Sequence, residues 1–128
     1  MKCLLDTCTF LWIIAGSREL SSTAAKMFTD PTHEIYLSAV SVWEISVKHS
    51  LGKLPMPASL DRFLLAQREM HGISILPLEE QAVFHLHKLP MLHRDPFDRM
   101  LVCQAIEHDC VLLTPDPLIV QYPVRTQW

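Results

Sequence analysis

The run Cys3-Leu4-Leu5-Asp6-Thr7 sets three apolar residues directly against a carboxylate. A short apolar run with no polar alternation reads as a brief buried strand, and here it ends on an acid. The same kind of run returns at Ile35-Tyr36-Leu37, at Ile73-Ser74-Ile75-Leu76 and at Cys110-Val111-Leu112-Leu113, and Val124 to Thr126 reads as an edge strand. Helical patterns fill the spaces between. Leu11 to Ala15 continue into a helix closed by Gly16, and Ser21 or Ser22 caps another through Phe28. Ser38 to Ser50 form a third, stopped by Gly52, and Ser59 to Met70 a fourth, ended by Gly72. Leu78 to Lys88 read as a helix ending before Pro90. Asp95-Pro96 opens one through Glu107, with aspartate as cap and proline in the first turn, and Asp116-Pro117 opens a last short turn. Strands alternating with helices predict an α/β fold: a three-layer sandwich whose central, mostly parallel sheet of four or five strands is flanked by helices. With no repeat, low-complexity stretch or internal boundary, residues 1–128 read as one domain.

Composition narrows the function classes. An apolar share of 49% with 20% charged residues excludes a disordered chain. No apolar run reaches the roughly 18 residues that span a bilayer, and a strand starting at Lys2 leaves no room for a signal peptide. Cys3, Cys8, Cys103 and Cys110 form no CxxC pair and each lies in an apolar segment, which predicts packed, reduced thiols and a cytoplasmic setting. A net charge of −3 argues against nucleic-acid binding through a general basic surface. It does not argue against a nuclease, because a bound cation inverts the charge of an acidic site.

The acids fall where open parallel sheets bind ligands, at the carboxyl ends of strands. Asp6 directly follows the first strand and Asp116 lies three residues after Leu113. Glu44 sits in the helix after the second strand, among Val40, Val42, Trp43 and Ile45. Asp95 and Asp98 are three apart and share a helix face. Clustered ionised carboxylates repel one another, and a hard divalent cation with oxygen ligands would explain their meeting. Each acid also has a plainer reading. Asp6, Asp95 and Asp116 are suited to capping helices, and Glu44 with Lys48 makes an i,i+4 pair. For Asp95, capping and support of a ligand is favoured over direct metal binding. Asp98 lies past the cap position and has the weakest plain reading.

These residues resemble the PIN-domain family, in particular the VapC-type toxins of toxin–antitoxin pairs. Leu4-Leu5-Asp6-Thr7 with Phe10-Leu11-Trp12 is similar to the family's opening, and Ser38 to Ile45 with Lys48 to its second acidic motif. His93-Arg94-Asp95-Pro96-Phe97-Asp98-Arg99-Met100-Leu101 with Gln104-Ala105 is the most specific stretch, and Leu113-Thr114-Pro115-Asp116 resembles the closing motif. Cys8 and Pro115 stand where other residues are common, but no acid is lost. The resemblance implies a PIN-like sandwich and an endoribonuclease whose Asp6, Glu44, Asp98 and Asp116 hold Mg²⁺ or Mn²⁺. It implies supporting roles for Asp95, Thr7 and Thr114. It further implies an RNA substrate, a homodimer and a small antitoxin seated along the groove, where Trp43, Phe63 and Leu64 are candidates for contact or for ordinary core packing.

Lys48, Lys53, Arg94 and Arg99 are candidates for phosphate contact, against a reading as solvated surface charge. His85 and His87, two apart, make a poor metal pair on a helix. An aspartyl phosphotransfer enzyme would need a second aspartate where Cys8 stands, and a receiver domain would need an acid pair ending the first strand. The remaining alternative is a catalytically inert PIN-like interaction module, against which the presence of all four acids argues.

Overall fold

A computed structural model describes residues 1–128. Strands β1 (Lys2–Leu5), β2 (Glu34–Ser38), β3 (Ser74–Leu76), β4 (Val111–Leu113) and β5 (Thr126–Gln127) form one sheet in the order β3-β2-β1-β4-β5. Every neighbouring pair is parallel, so the expected mostly parallel sheet is wholly so. Helices α1 (Thr7–Ala15), α2 (Ser22–Thr29), α3 (Ala39–Ser50), α4 (Leu60–His71), α5 (Glu80–Val83), α6 (Pro96–Glu107) and α7 (Pro117–Val120) make the connections. None is long and apolar enough to cross a membrane.

Two clusters of buried side chains lie on opposite faces of the sheet. Cys3, Leu5, Val111 and Leu113 point into one, with Phe10, Ile13 and Ile45 from α1 and α3. Leu4 and Leu112 point into the other, with Leu101, Val102 and Ala105 of α6. This is the two-residue period of a strand, and it makes the central strands apolar on both faces. The four cysteines are free, and all but Cys8 are buried.

Two segments differ from the sequence reading. The helix expected from Leu78 to Lys88 divides into α5 and a 3₁₀ turn at Leu86–Lys88. Glu79 makes no side-chain cap bond, and the amides of His85, Lys88 and Leu89 bond three residues back rather than four. Without a cap and with so short a run, the backbone tightens instead of propagating an α-helix. The edge strand also lies later than expected, at Thr126–Gln127, where its pairing with Leu112 and Leu113 sets it.

The strand order fixes where a ligand can sit. Successive strands run outward from β1 to β2 and β3, then the chain returns to the other side of β1 for β4 and β5. The crevice at such a reversal lies beyond the carboxyl ends of β1 and β4, which are followed by Asp6 and by Thr114 to Asp116.

Candidate functional site

Asp6, Glu44, Asp95, Asp98 and Asp116 line one cleft of about 260 Å³, together with Thr7, Cys8, Leu11 and Lys48. The acids expected to meet from distant parts of the sequence do so.

Asp6 both caps and faces the cleft. Its Oδ1 accepts the Thr7 amide at 2.7 Å, and its Oδ2 accepts the Thr114 hydroxyl at 2.6 Å. The expected i,i+4 pair of Glu44 with Lys48 forms, but Glu44 is only 4% exposed, so its end of the pair is buried. Its Oε1 accepts the Thr7 hydroxyl at 2.8 Å, and Lys48 Nζ lies 2.5 Å from Oε2. The Thr7 oxygen also lies 2.9 Å from Ser41 Oγ. Thr7 has one proton and gives it to a carboxylate that can only accept, so the Ser41 hydroxyl donates to Thr7. Thr7 and Thr114 thus hold two acids from behind. Of these helpers, Ser41 went unnoticed in the sequence; its signal is a position three residues before Glu44, on the same face of α3.

Asp95 caps α6, accepting the amides of Phe97 at 2.8 Å and Asp98 at 3.4 Å. Asp116 caps α7 by accepting the Leu118 amide at 2.8 Å. Between them stands His93, a residue the sequence reading quoted without assigning a role. Its Nε2 lies 2.9 Å from Asp116 Oδ2 and 3.1 Å from Asp98 Oδ2. Among the candidate phosphate contacts only Lys48 lines the cleft; Lys53, Arg94 and Arg99 do not. Arg99 follows Asp98 by one residue on α6, and a helix turns that position about 100° away.

The electrostatics record the crowding. Burial, then the charges of Asp6, Asp95, Glu44 and Asp116, push the Asp98 carboxyl from its ordinary 3.8 up to about 8. Burial also raises Asp6, against the hydrogen bonds from Thr114 and Thr7. Lys48 is raised, chiefly by its hydrogen bond to Glu44. Burial and the Asp6 charge lift the Cys8 thiol to about 12, which disfavours a thiolate nucleophile there in the metal-free protein. The donors are carboxylate oxygens whose mutual repulsion a cation would relieve, a set that fits Mg²⁺ or Mn²⁺.

A pH dependence of stability follows. Asp98 binds its proton more tightly when folded than when unfolded, so between about pH 4 and pH 8 the native state carries the extra proton. Stability of the metal-free protein therefore falls as pH rises through that window and levels off above it; Asp6, also raised, adds in the same direction. Melting temperatures in EDTA should drop from pH 5 to pH 8, and Asp98→Asn should flatten the drop. An equal drop in the variant would show that Asp98 is not its source.

The family model for the PIN domain matches residues 3–123. No curated protein sequence matches significantly. Among solved structures, VapBC2 of Rickettsia felis, determined bound to a DNA fragment from its promoter, superposes with a TM-score of 0.73 at 14% identity, covering 99% of this chain and 98% of that one. VapBC-1 of nontypeable Haemophilus influenzae gives 0.65 at 17% identity over 99% and 97% of the two chains. A domain of a functionally unknown protein from Methanocaldococcus jannaschii gives 0.58 at 18%, over 99% and 89%. At these identities the likeness is one of fold.

Proposed function

Because the chain belongs to the PIN-domain family, we propose that it is a metal-dependent endoribonuclease, the toxin of a toxin–antitoxin pair, with Asp6, Glu44, Asp98 and Asp116 as its metal-holding and catalytic acids. The observation that carries the proposal is the convergence of these four acids, with Asp95, on one cleft at the sheet's reversal point. Mg²⁺ or Mn²⁺, when bound, supplies activation of water and offsets charge that builds on the phosphodiester. The chain's own residues hold the carboxylates in place. Thr114 and the Thr7 amide fix Asp6, while the Thr7 hydroxyl, backed by Ser41, and Lys48 fix Glu44. Lys48, half exposed at the cleft, is placed to meet a backbone phosphate of the substrate. Asp95 serves as the cap of α6 and supports Asp98 through its amide.

The fold shared with VapBC proteins supports an antitoxin as partner. An apolar groove lined by Leu11, Trp12, Ile14, Leu54, Met56 and Phe63 adjoins the acid cleft through Leu11, which borders both. That continuity supports an antitoxin segment lying in the groove with its end at the acids. Of the three earlier contact candidates, Phe63 lines this groove and Leu64 belongs to the core. Trp43 is exposed and packs edge-on against Phe97, with ring centroids 4.7 Å apart. A homodimer is part of the same proposal.

Sequencing of RNA ends after brief expression, beside an Asp6→Asn control, tests this function. New ends at defined positions, absent from the control, are expected. Unchanged RNA from folded wild-type protein would favour the inert interaction module.

A further inference from the structure

We propose that His93 is a positioning residue for the acid cluster: its ring donates its hydrogen to Asp116 and lies against Asp98, holding the two acids side by side, and does not itself ligate the cation. This rests on the reading that these acids bind a divalent metal.

The ring's chemistry follows from its neighbours. Nδ1 lies 3.1 Å from the backbone nitrogen of Asp95, and an amide N–H can only donate, so Nδ1 is the acceptor. The ring proton therefore sits on Nε2, the atom that faces Asp116 Oδ2 at 2.9 Å and Asp98 Oδ2 at 3.1 Å. Nε2 and the two carboxylate oxygens lie within 4.8 Å of one another, close enough to suggest a three-ligand site. A protonated Nε2 has no lone pair to offer, so the ring's part there is that of a donor.

The ring is also held in place from outside the cleft. The buried Tyr122 hydroxyl oxygen accepts the backbone amides of Leu92 at 3.2 Å and His93 at 2.9 Å. The loop before α6 is thereby tied to the segment after α7, which joins the helix that carries Asp98 to the one that Asp116 caps. An N–H group set between the two carboxyl groups lowers their repulsion once both are ionised and leaves the remaining carboxylate lone pairs for a cation. Outer partners of this kind set the orientation of metal-binding carboxylates.

The protein with Mn²⁺ as probe tests the assignment in two ways. Electron spin-echo modulation of the Mn²⁺ complex reports any directly bound ring nitrogen, and none is expected. Calorimetric Mn²⁺ titration should show His93→Ala binding about 10- to 100-fold more weakly than wild type. His93→Gln places an amide N–H near the position of Nε2 and should recover most of the loss, which a purely space-filling role would not predict. Because the spin-echo measurement uses wild-type protein, it decides the question even if His93→Ala does not fold. Wild-type protein that takes up no Mn²⁺ overturns both this proposal and the metal reading beneath it. Wild-type uptake with a coordinated ring nitrogen, or unchanged affinity in folded His93→Ala, overturns this proposal alone.

Discussion

Asp98→Asn is expected to lose RNA cleavage by more than about 100-fold, beyond the usual effect of changing only a partner of a metal ligand. The same protein, free of metal at pH 8, should melt at a higher temperature than wild type. The two effects have one cause. Asp98 is crowded by Asp6, Asp95, Glu44 and Asp116, so a neutral amide relieves repulsion in the metal-free protein. That amide is a poor substitute for a carboxylate opposite Mg²⁺. Asp95 should behave differently. Its Oδ1 accepts the amides of Phe97 and Asp98, and an asparagine oxygen accepts the same bonds. Asp95→Asn should therefore keep its stability and much of its activity, whereas Asp95→Ala should cost about 0.5–2 kcal/mol through the lost cap. Cleavage and melting curves of the three variants separate the roles. An inactive Asp95→Asn beside an active Asp98→Asn would exchange them.

Expression without an antitoxin should arrest growth, and Asp6→Asn should release it. The substitution is gentle on the fold. The asparagine oxygen can keep the Thr7 amide, and its nitrogen can donate to the Thr114 oxygen where the carboxylate had accepted that hydroxyl. What it removes is the charge at the end of β1, and with it one of the carboxylates proposed to hold the cation. Colony counts with and without induction, beside a melting curve for each purified protein, make the comparison. Normal growth with folded wild-type protein at high level would argue for the inert module.

The acids were legible in the sequence because each is placed by local rules. Asp6 ends a buried strand, Asp95 and Asp116 precede prolines at helix starts, and Glu44 lies among apolar residues of one helix. The sheet was legible for the same reason, since three or four apolar residues in a row suffice to mark a central strand. What stayed hidden depends on contacts between distant segments. His93 lies in an irregular loop, and its importance comes from Asp116, 23 residues away, and from the Tyr122 hydroxyl, 29 residues away. Only its bond to the Asp95 amide, two residues on, was available locally. The broken helix at Glu80–Lys88 shows the opposite limit: its apolar spacing was read correctly as helical, but spacing does not reveal a missing cap.

Cleavage of an end-labelled RNA by purified protein, measured with Mg²⁺, with Mn²⁺ and in excess EDTA beside identically prepared Asp6→Asn, tests the metal-dependent site most directly. Cleavage with either cation, abolished by EDTA and absent from the variant, is the expected result. RNA cut at an undiminished rate in EDTA, or equally by Asp6→Asn, would contradict it.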